Sequence, residues 1–336
     1  MSKKIILITG WIWYIWSHAV IAFEQAGYKT VIIDNLDNSC LSTYRSIWEI
    51  LGYKPDFYEL DLRDKEKLKQ VFEKYKFDWV LHFAWLKAVG ESCEKPLHYF
   101  DNNVVGSLRL FELMHEYSVK NIIFSSSATV YNFDNEIPYV ETQKIWETTN
   151  TYATTKYLIE KILNDLSKFS WFNVINLRYF NPIWAHPSWL IWENPEWIPN
   201  NLLPFIMKVA IWELPYLNVF GDDYETIDGT WVRDYIDVVD LIDGHLKAYD
   251  LIENLDFSGF IDDFNLWLWK WVSVLQILEA SKKAIWKDIP FKIASRRSWD
   301  IAEFYCNPSK AKSILWWEAK TSLQDSLKNA WKFYNS

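Results

Sequence analysis

The chain has 336 residues and a formal net charge of −9, so it can form one large or two modest domains, and its acidic balance argues against a nucleic-acid partner. Its three isolated cysteines offer no disulfide framework, and its six histidines lack metal-ligand spacing. No apolar run approaches ~18 residues, so we expect no membrane span. Together with the isolated cysteines and histidines, this predicts a soluble, cytoplasmic protein without a metal site.

Buried strands and helices alternate through the first half of the chain. Continuous apolar runs predict six strands, at 4–9, 29–34, 57–61, 79–84, 121–126 and 172–178. Helices are expected at 17–26 and 66–75. Unbroken apolar strands of this kind are typical of parallel sheets, because helices cover both faces. The predicted fold class is therefore α/β, a Rossmann-type doubly wound parallel sheet.

The second half of the chain is less regular. Residues 181–232 are rich in Pro and Asn and predict a functional loop region. A helix is expected near 235–250, in a segment near 233–262 that returns to the first domain. We therefore predict a first domain of residues 1–180 and a smaller C-terminal α+β domain of residues 181–336.

Tryptophan stands at many positions where this architecture favours glycine. The first strand runs into TGWIWYIWSH, which becomes a phosphate-binding turn when each tryptophan is read as glycine. The chain has 9 Gly and 22 Trp, whereas about 24 glycines are expected at the usual frequency of about 7%. We therefore infer that a codon read as glycine in the source organism, most simply UGA, is written here as tryptophan.

The alternative is a truly tryptophan-rich protein with aromatic platforms for sugars or membranes. Such platforms need not fall at turns that require positive φ or close backbone approach, so the positions favour glycine. Trp317 and Trp331 are expected to be genuine because they lie in an amphipathic C-terminal segment. The chain with glycine at every tryptophan position except these two is called the glycine form below.

The first turn predicts a dinucleotide site. Gly10, Trp13 and Trp16 occupy the glycine places of a GxxGxxG turn, where a pyrophosphate sits at the helix N-terminus. Asp34 ends the second strand, where a carboxylate bonds the adenosine ribose and repels a 2′-phosphate. This position favours NAD over NADP. Asp61 follows the third strand and suits either the adenine end or a helix cap.

A second set of residues predicts acid–base chemistry. Tyr152 and Lys156 form a YxxxK pattern, and residues four apart share one face of a helix. A lysine beside a phenol favours the phenolate, which makes a general base. Alone, this pattern is more often a surface pair. Ser127, at the end of an earlier strand, and the dinucleotide turn before it favour the catalytic interpretation.

Ser127, Tyr152 and Lys156 in this order resemble the catalytic set of short-chain dehydrogenase/reductase proteins. Longer segments resemble the UDP-glucose 4-epimerases, an extended branch of that superfamily. These segments include DNLDNS, HFAWLKAVGES, YFDNNVVGSLRL, FSSSATVY, YATTK, LRYFNPIWAHPSW and VFGDDYETIDGTWVRDYIDVVDLIDGH. The resemblance runs from near residue 5 to 305, which is most of the chain.

The resemblance implies an isomerase of galactose metabolism that interconverts UDP-galactose and UDP-glucose. Tightly held NAD would take the hydride from C4 of the hexose, and Tyr152 would take the O4 proton, helped by Ser127 and Lys156. The 4-keto sugar would turn about its diphosphate link and regain the hydride on its opposite face. A homodimer is also implied. Residues 1–180 would then bind NAD, and residues 181–336 would bind the UDP-sugar.

The resemblance also implies which residues bind the two ligands. For the cofactor these are Gly10, Trp13, Tyr14, Ile15, Trp16, Asp34, Asn35, Asp61, Leu62, Phe83, Ala84, Lys87, Asn102, Tyr152, Lys156 and Phe180. For the UDP-sugar they are Lys87, Ser127, Tyr152, Asn181, Asn201, Arg233, Arg297 and Asp300. The two arginines would hold the diphosphate, because guanidinium forks suit phosphate oxygens. Phe304 aligns with a family position whose bulk disfavours N-acetylated sugars.

Two other functions stay open from the sequence. A nucleotide-sugar 4,6-dehydratase or decarboxylase shares the fold, but dehydratases usually carry an Asp-Glu pair where this chain has Ala128 and Thr129. A non-catalytic NAD-binding protein would not need the three catalytic residues.

The tryptophans themselves depart from the family pattern. Trp13 and Trp16 would fill the pyrophosphate space, and Trp85 would block the approach to the nicotinamide. Trp299 would disturb the loop between Arg297 and Asp300. As tryptophans, these residues should abolish NAD binding, so function is predicted for the glycine form.

Overall fold

The computed structural model describes residues 3–10, 14–37, 41–179, 181–183, 186, 188–191, 201–297 and 301–335. The strands are β1 (Ile5–Thr9), β2 (Lys29–Asp34), β3 (Asp56–Glu59), β4 (Trp79–His82), β5 (Asn121–Ser125), β6 (Asn173–Arg178), β7 (Asn181–Ile183), β8 (Leu217–Phe220), β9 (Val232–Asp237), β10 (Ile261–Asn265), β11 (Trp271–Ser273), β12 (Phe291–Ala294) and β13 (Glu303–Phe304).

The helices are α1 (Tyr14–Gln25), α2 (Leu41–Leu51), α3 (Lys65–Lys74), α4 (Val89–Glu94), α5 (Pro96–Tyr99), α6 (Gly106–Glu116), α7 (Thr151–Ser170), α8 (Leu202–Ala210), α9 (Val238–Glu253), α10 (Val274–Ile285) and α11 (Leu323–Tyr334). Two π-helical segments, Phe100–Val105 and Ala311–Leu315, and a 3₁₀ turn, Ala128–Val130, complete the described elements.

A seven-stranded parallel sheet is the centre of the molecule, with the strand order β10-β6-β5-β4-β1-β2-β3. All six neighbouring pairs in this order are parallel. The reversal of order beside β1 is the mark of a doubly wound sheet. The six predicted strands correspond to β1–β6, and the predicted Rossmann-type fold is confirmed.

The strands are unbroken apolar runs because the sheet is buried on both faces. Along β1, Ile6 and Ile8 pack into one apolar cluster, and Leu7 packs into the cluster on the other side. Helix α9 covers the first of these sides, where Tyr249 lies 5.8 Å from the ring of Phe23. The ends of the parallel strands are thus held rigidly between two helical layers.

The second half of the chain is more regular than its sequence suggested. The predicted loop region 181–232 contains β7, β8 and helix α8, whose apolar side buries Leu203, Ile206 and Met207. The helix expected at 235–250 starts later, because residues Val232–Asp237 form strand β9 before α9 begins. Strand β9 lies in a smaller sheet with β7, β11 and β13, and β8 pairs with β12.

The described residues contain neither a membrane-spanning helix nor a cluster of metal ligands. No helix among them has both the length and the apolar character that a membrane span needs. In the same part of the chain, no group of three or more His, Cys, Asp or Glu side chains is arranged to hold a metal ion.

Candidate active site and cofactor groove

The three predicted catalytic residues meet at the carboxyl ends of β5 and β6. Ser127 follows β5 and caps a 3₁₀ turn, where its hydroxyl accepts the Thr129 N–H at 3.2 Å. Helix α7 begins at the Asn150 cap, whose side chain accepts the Ala153 N–H at 2.9 Å. This start places Tyr152 close to Ser127.

Lys156 lies one turn further along α7 and is fully buried. Its ammonium donates to the carbonyl oxygen of Ser125 and lies 5.8 Å from the centre of the Tyr152 ring. The spacing predicted from YxxxK is therefore seen in the structure. Serine, tyrosine and lysine form one contiguous group at the base of a cavity.

Burial controls the protonation of this group. Desolvation raises the pKa of Tyr152 to about 12, although the hydrogen bond from Ser127 acts to lower it. Desolvation also holds the pKa of Lys156 well below its usual value, and the nearby carboxylate of Glu160 opposes that change. A phenol in this setting gives up its proton near neutral pH only when more positive charge is brought close to it.

A buried ionic network beneath the catalytic group was not predicted from the sequence. Glu160 accepts hydrogen bonds from the Ser126 hydroxyl at 2.5 Å and from the Arg178 guanidinium at 2.7 and 2.9 Å. Arg178 also bonds Asp263 at 2.8 Å. The network ties α7, β6 and β10 to the residue before Ser127. Its only sequence signal was the glutamate four residues after Lys156.

A large cavity of about 790 Å³ opens above the catalytic group. Of the predicted substrate residues, Lys87, Ser127, Tyr152, Asn181, Asn201, Arg233 and Arg297 line it. Asp300 lies outside the described residues. The structure therefore brings together seven of the eight residues predicted to bind the substrate.

Two arginines line the same cavity as the catalytic group. Arg233 lies in β9, where its guanidinium donates to the Val232 carbonyl at 2.8 Å. The Arg297 guanidinium lies 4.5 Å from the ring centre of Phe220. Phe304 also lines the cavity; it is buried, and its ring centre lies 5.0 Å from that of Tyr139. Two cations and one bulky ring thus form part of the cavity wall.

A second, small crevice lies at the carboxyl ends of β1 and β2. Seven of the predicted cofactor residues line it: Gly10, Asp34, Asn35, Asp61, Leu62, Ala84 and Asn102. Gly10 has φ +116°, and a Cβ there would lie 2.6 Å from the backbone of Phe83 and Ala84. The close approach of two strand ends therefore requires glycine at this position.

Asp61 lines this crevice and does not cap a helix. Its carboxylate accepts the Arg63 guanidinium at 2.6 Å and the Asn35 amide at 3.1 Å, whereas Asp64 caps α3. Burial acts to raise the pKa of Asp61, but the hydrogen bonds from Arg63 outweigh it and lower the pKa to about 2. The group is an anion that can accept hydrogen bonds from a bound nucleoside.

Five of the remaining predicted cofactor residues line the large cavity instead: Ile15, Trp16, Lys87, Tyr152 and Lys156. Trp16 stacks on Phe83 with ring centres 4.6 Å apart, and Trp85 lies under the Lys156 ammonium at 3.6 Å. Ile15 lines the large cavity beside these indoles. Trp13 and Phe180 lie outside the described residues, and the side chain of Tyr14 is not described. The crevice has a volume of only about 20 Å³, which is smaller than a nucleoside, and the indoles occupy space that a dinucleotide needs.

Asn103 is a further residue that the sequence analysis missed. It is fully buried, and its side-chain amide donates to the Leu86 carbonyl and to the Thr155 hydroxyl, both at 3.1 Å. Its side-chain oxygen accepts the Leu86 N–H at 2.9 Å. Asn103 thus fixes the loop that carries Trp85 and Lys87 against α7. The paired asparagines in FDNN were a signal that the analysis used for Asn102 alone.

The chain is similar to nucleotide-sugar enzymes over nearly its whole length. A family model described as GDP-mannose 4,6 dehydratase matches residues 7–330. The UDP-glucose 4-epimerase of Yersinia enterocolitica is 47% identical over 98% of this chain and 96% of that protein. The chain belongs to the UDP-glucose 4-epimerase family. The family predicted from the sequence is therefore confirmed.

Other family members extend this similarity. The crystal structure of the Bifidobacterium longum UDP-glucose 4-epimerase, in complex with NAD+ and UDP, has a TM-score of 0.93 and 41% identity, covering 99% of this chain and 98% of that one. Bifunctional protein gal10 of Schizosaccharomyces pombe is 47% identical over 340 residues. The chain spans 47% of that longer protein and nearly all of the single-function relative from Yersinia.

The cavity also bears on the dehydratase alternative. Elimination of water needs acid and base groups besides the tyrosine. Among the described residues that line the cavity, Glu91 is the only carboxylate, and it is held by Lys95 at 3.0 Å and by the Tyr99 hydroxyl at 3.1 Å. At Thr129 the hydroxyl donates to Ser127. The cavity therefore suits an epimerase better than a dehydratase.

Proposed function

We propose that the protein, in its glycine form, interconverts UDP-galactose and UDP-glucose by oxidation at C4 and re-reduction on the opposite face. One observation carries the proposal. Ser127, Tyr152 and Lys156 line the same cavity as Arg233 and Arg297. A hexose linked to a diphosphate spans such a cavity, with its sugar on the base and its phosphates on the cations.

Each catalytic side chain has a distinct task. Tyr152 accepts the proton of the sugar O4 hydroxyl, and Ser127, which lines the cavity beside it, holds that hydroxyl by a hydrogen bond. Lys156 lies 5.8 Å from the centre of the phenol ring and, in its protonated form, favours the phenolate. NAD, present with UDP in the Bifidobacterium structure, supplies the hydride acceptor when bound. The base and the acid are the same residue in the two directions of the reaction.

The residues that line the cavity around the sugar and the diphosphate select the substrate. Arg233 and Arg297 bind the diphosphate, and Asn181 and Asn201 bind the sugar and its linkage. A volume of about 790 Å³ is in the upper range for ligand pockets and leaves room for the 4-keto sugar to rotate about its diphosphate link. Phe304 fills the space beside the sugar. We therefore propose UDP-hexoses rather than their N-acetylated counterparts as substrates.

The wider organisation of the protein belongs to the same proposal. Residues 1–180 and the segment near 233–262 bind NAD, and residues 181–336 bind the UDP-sugar. The protein works as a homodimer in the cytoplasm. Exposed apolar side chains on neighbouring helices support a second copy, because Leu97 of α5 is 81% exposed and Leu108 of α6 is also open to solvent.

The test is conversion of UDP-galactose by the purified glycine form with NAD. We expect UDP-glucose as product and no net change in NADH. Tyr152→Phe in the same background is the matched control, because it removes only the phenol oxygen and should lower kcat by at least ~10²-fold. A glycine form that binds NAD but converts no UDP-hexose would instead support the non-catalytic alternative.

A further inference from the structure

Tryptophan dominates one rare backbone conformation in this molecule. Of the nine described non-glycine residues with positive φ, six are tryptophan, although tryptophan is only 22 of 336 residues. Their φ values lie between 54° and 67°. Residues with a Cβ seldom adopt this left-handed region, and glycine adopts it freely. The six are Trp171, Trp189, Trp212, Trp269, Trp286 and Trp316.

Four of these residues lie just beyond helix ends, where glycine is the usual residue. Trp171 follows α7, Trp286 follows α10, and Trp316 follows the segment Ala311–Leu315. Trp212 lies two residues beyond α8. Their indoles are open to solvent, with exposed fractions up to 91% at Trp286. Their side chains therefore explain neither the conformation nor the position.

Buried indoles give a second, independent observation. The indole N–H groups of Trp16, Trp85 and Trp267 are buried and have no hydrogen-bond partner among the described residues. A buried tryptophan usually finds such a partner. Trp317 does so, because its indole donates to the Asp240 carbonyl at 2.9 Å while the side chain is 1% exposed. The tryptophans thus fall into two kinds. Those of the first kind have a positive φ or a buried indole N–H without a partner, and Trp317, of the second kind, is buried and hydrogen-bonded.

Adjacent residues carry both kinds. Trp316 has φ 54° and is 86% exposed, whereas Trp317 is buried and hydrogen-bonded. The same dipeptide therefore contains one residue that behaves as glycine and one that behaves as tryptophan.

We propose that nine of these residues are glycine in the protein as its source organism makes it, that Trp317 is tryptophan there, and that the cofactor groove is open. The nine are Trp16, Trp85, Trp171, Trp189, Trp212, Trp267, Trp269, Trp286 and Trp316. Four of them, at the helix ends, were not singled out by the sequence patterns.

The site changes at two of the nine positions. Glycine in place of Trp16 frees the face of Phe83, at the start of the helix that follows the phosphate turn. Glycine in place of Trp85 frees the space under the Lys156 ammonium, which lies 3.6 Å from the indole. Both changes enlarge the space beside the residues that line the large cavity, and we expect the small crevice at Gly10 and Asp34 to open into it. This inference goes beyond the proposed catalytic function and does not depend on it.

Peptide masses from protein isolated from the source organism test the assignment. The tryptic peptide 313–320 contains Trp316 and Trp317 together, and its fragment ions should show one glycine followed by one tryptophan. Peptide 5–29 should show glycine at the position of Trp16. Tryptophan masses at the positions of Trp16 and Trp316 would overturn the proposal. Glycine at the position of Trp317 as well would overturn the distinction between the two kinds.

Recombinant variants of the chain with all its tryptophans give a readout that needs no source organism. Trp316→Gly should raise the thermal midpoint, and Trp317→Gly should lower it, because only the second loses a packed, hydrogen-bonded side chain. Shifts of the thermal midpoint in opposite directions support the assignment, and a lower midpoint in both variants overturns it.

The affinity for NAD tests the open groove. The glycine form should bind NAD at least ~10²-fold more tightly than the form with Trp16 and Trp85 retained, and equal affinity would contradict the open groove.

These outcomes are separate from those of the activity assay. Glycine masses in an inactive protein would contradict the catalytic proposal alone. Tryptophan masses would contradict the decoding proposal alone, whatever the activity of the engineered glycine form.

Discussion

Each tryptophan in the left-handed region carries a backbone cost of about 1–2 kcal/mol, because its Cβ approaches the following carbonyl oxygen. The six observed here would together cost roughly 6–12 kcal/mol. A whole domain is stable by only about 5–15 kcal/mol. Exposed indoles return little of this cost. At the scale of single residues, the tryptophans are therefore the largest source of strain described in the molecule.

The buried glutamate under the active site leads to a first prediction. Glu160→Gln should lower the free energy of unfolding by about 3–5 kcal/mol, because Arg178 is left buried with less compensating charge. Urea unfolding of the glycine form with and without the substitution measures this. Glu112→Gln breaks exposed pairs with Lys65 and Arg109 and is the control, with an expected change below about 1 kcal/mol. Similar losses in both variants would refute a special role for the buried pair.

A second prediction concerns the ring beside the sugar. Phe304→Ala should enlarge the far end of the cavity and raise kcat/KM for UDP-N-acetylglucosamine relative to UDP-glucose by about 10-fold or more, because a bulky wall is removed. Phe291→Ala, on an exposed strand outside the cavity, is the control and should leave the ratio unchanged. Equal kcat/KM values for the two substrates in the unsubstituted glycine form would show that Phe304 does not exclude N-acetylated sugars.

At the scale of elements, apolar patterns predicted six of the seven strands of the central sheet, but they missed β10 and the strands of the second half. β1–β6 are continuous apolar runs, and such runs need no distant information to be recognised. Helix α8 follows the Pro- and Asn-rich stretch that predicted a loop, and its apolar face is specified only by the partner it packs on. β9 directly precedes α9, so one continuous apolar segment changes from strand to helix at Asp237. Boundaries of that kind depend on tertiary contacts.

The cap of α9 leads to a prediction about pH. Asp237 accepts the Val239 N–H at 2.8 Å, and burial raises its pKa to about 7. A raised pKa means that the native state holds this proton more tightly than the unfolded state does. The stability it contributes is complete below pH ~4 and is lost as the pH rises towards 7. Asp237→Asn keeps the cap acceptor, so its stability relative to the parent should improve between pH 5 and pH 8.

The control for this prediction is the cap of α3. Hydrogen bonds from Lys67 lower the pKa of Asp64, so its contribution is present above the unfolded pKa and is lost as the pH falls. Asp64→Asn should therefore show no gain between pH 5 and pH 8. Denaturant unfolding at both pH values gives the comparison. A gain in both variants, or in neither, would rule out burial of Asp237 as the cause.

At the scale of the whole molecule, the candidate site is assembled from elements that are far apart in the sequence. Ser127 and Tyr152 could be predicted because each has a local motif. Glu160, Arg178 and Asp263 could not be predicted as a group, because only the pairing of β10 with β6 brings the third of them to the other two. Local motifs can be predicted from a sequence, whereas networks that join distant elements can be recognised only once the fold is known.

The small crevice lined by Gly10, Asp34 and Asp61 leads to a prediction for the whole protein. NAD at about 100 times its Kd should stabilise the glycine form by about 2.7 kcal/mol, because it binds only the folded state. NADP should give a clearly smaller rise in thermal midpoint, since Asp34 in the crevice repels the 2′-phosphate. Asp34→Ala should bring the two rises closer together. Equal effects of both dinucleotides on the unsubstituted glycine form would contradict the assignment of Asp34.

The position of β10 at the edge of the sheet also governs how the chain is made. A ribosome releases β6 long before residues 261–265, and β10 is the outer neighbour of β6. During that interval the backbone N–H and C=O groups on one side of β6 are unpaired, and an open strand edge invites pairing with other nascent chains. The sheet closes this edge only after residue 265 of 336 has been synthesised. The topology therefore leaves this edge of β6 unpaired until residues 261–265 have been synthesised.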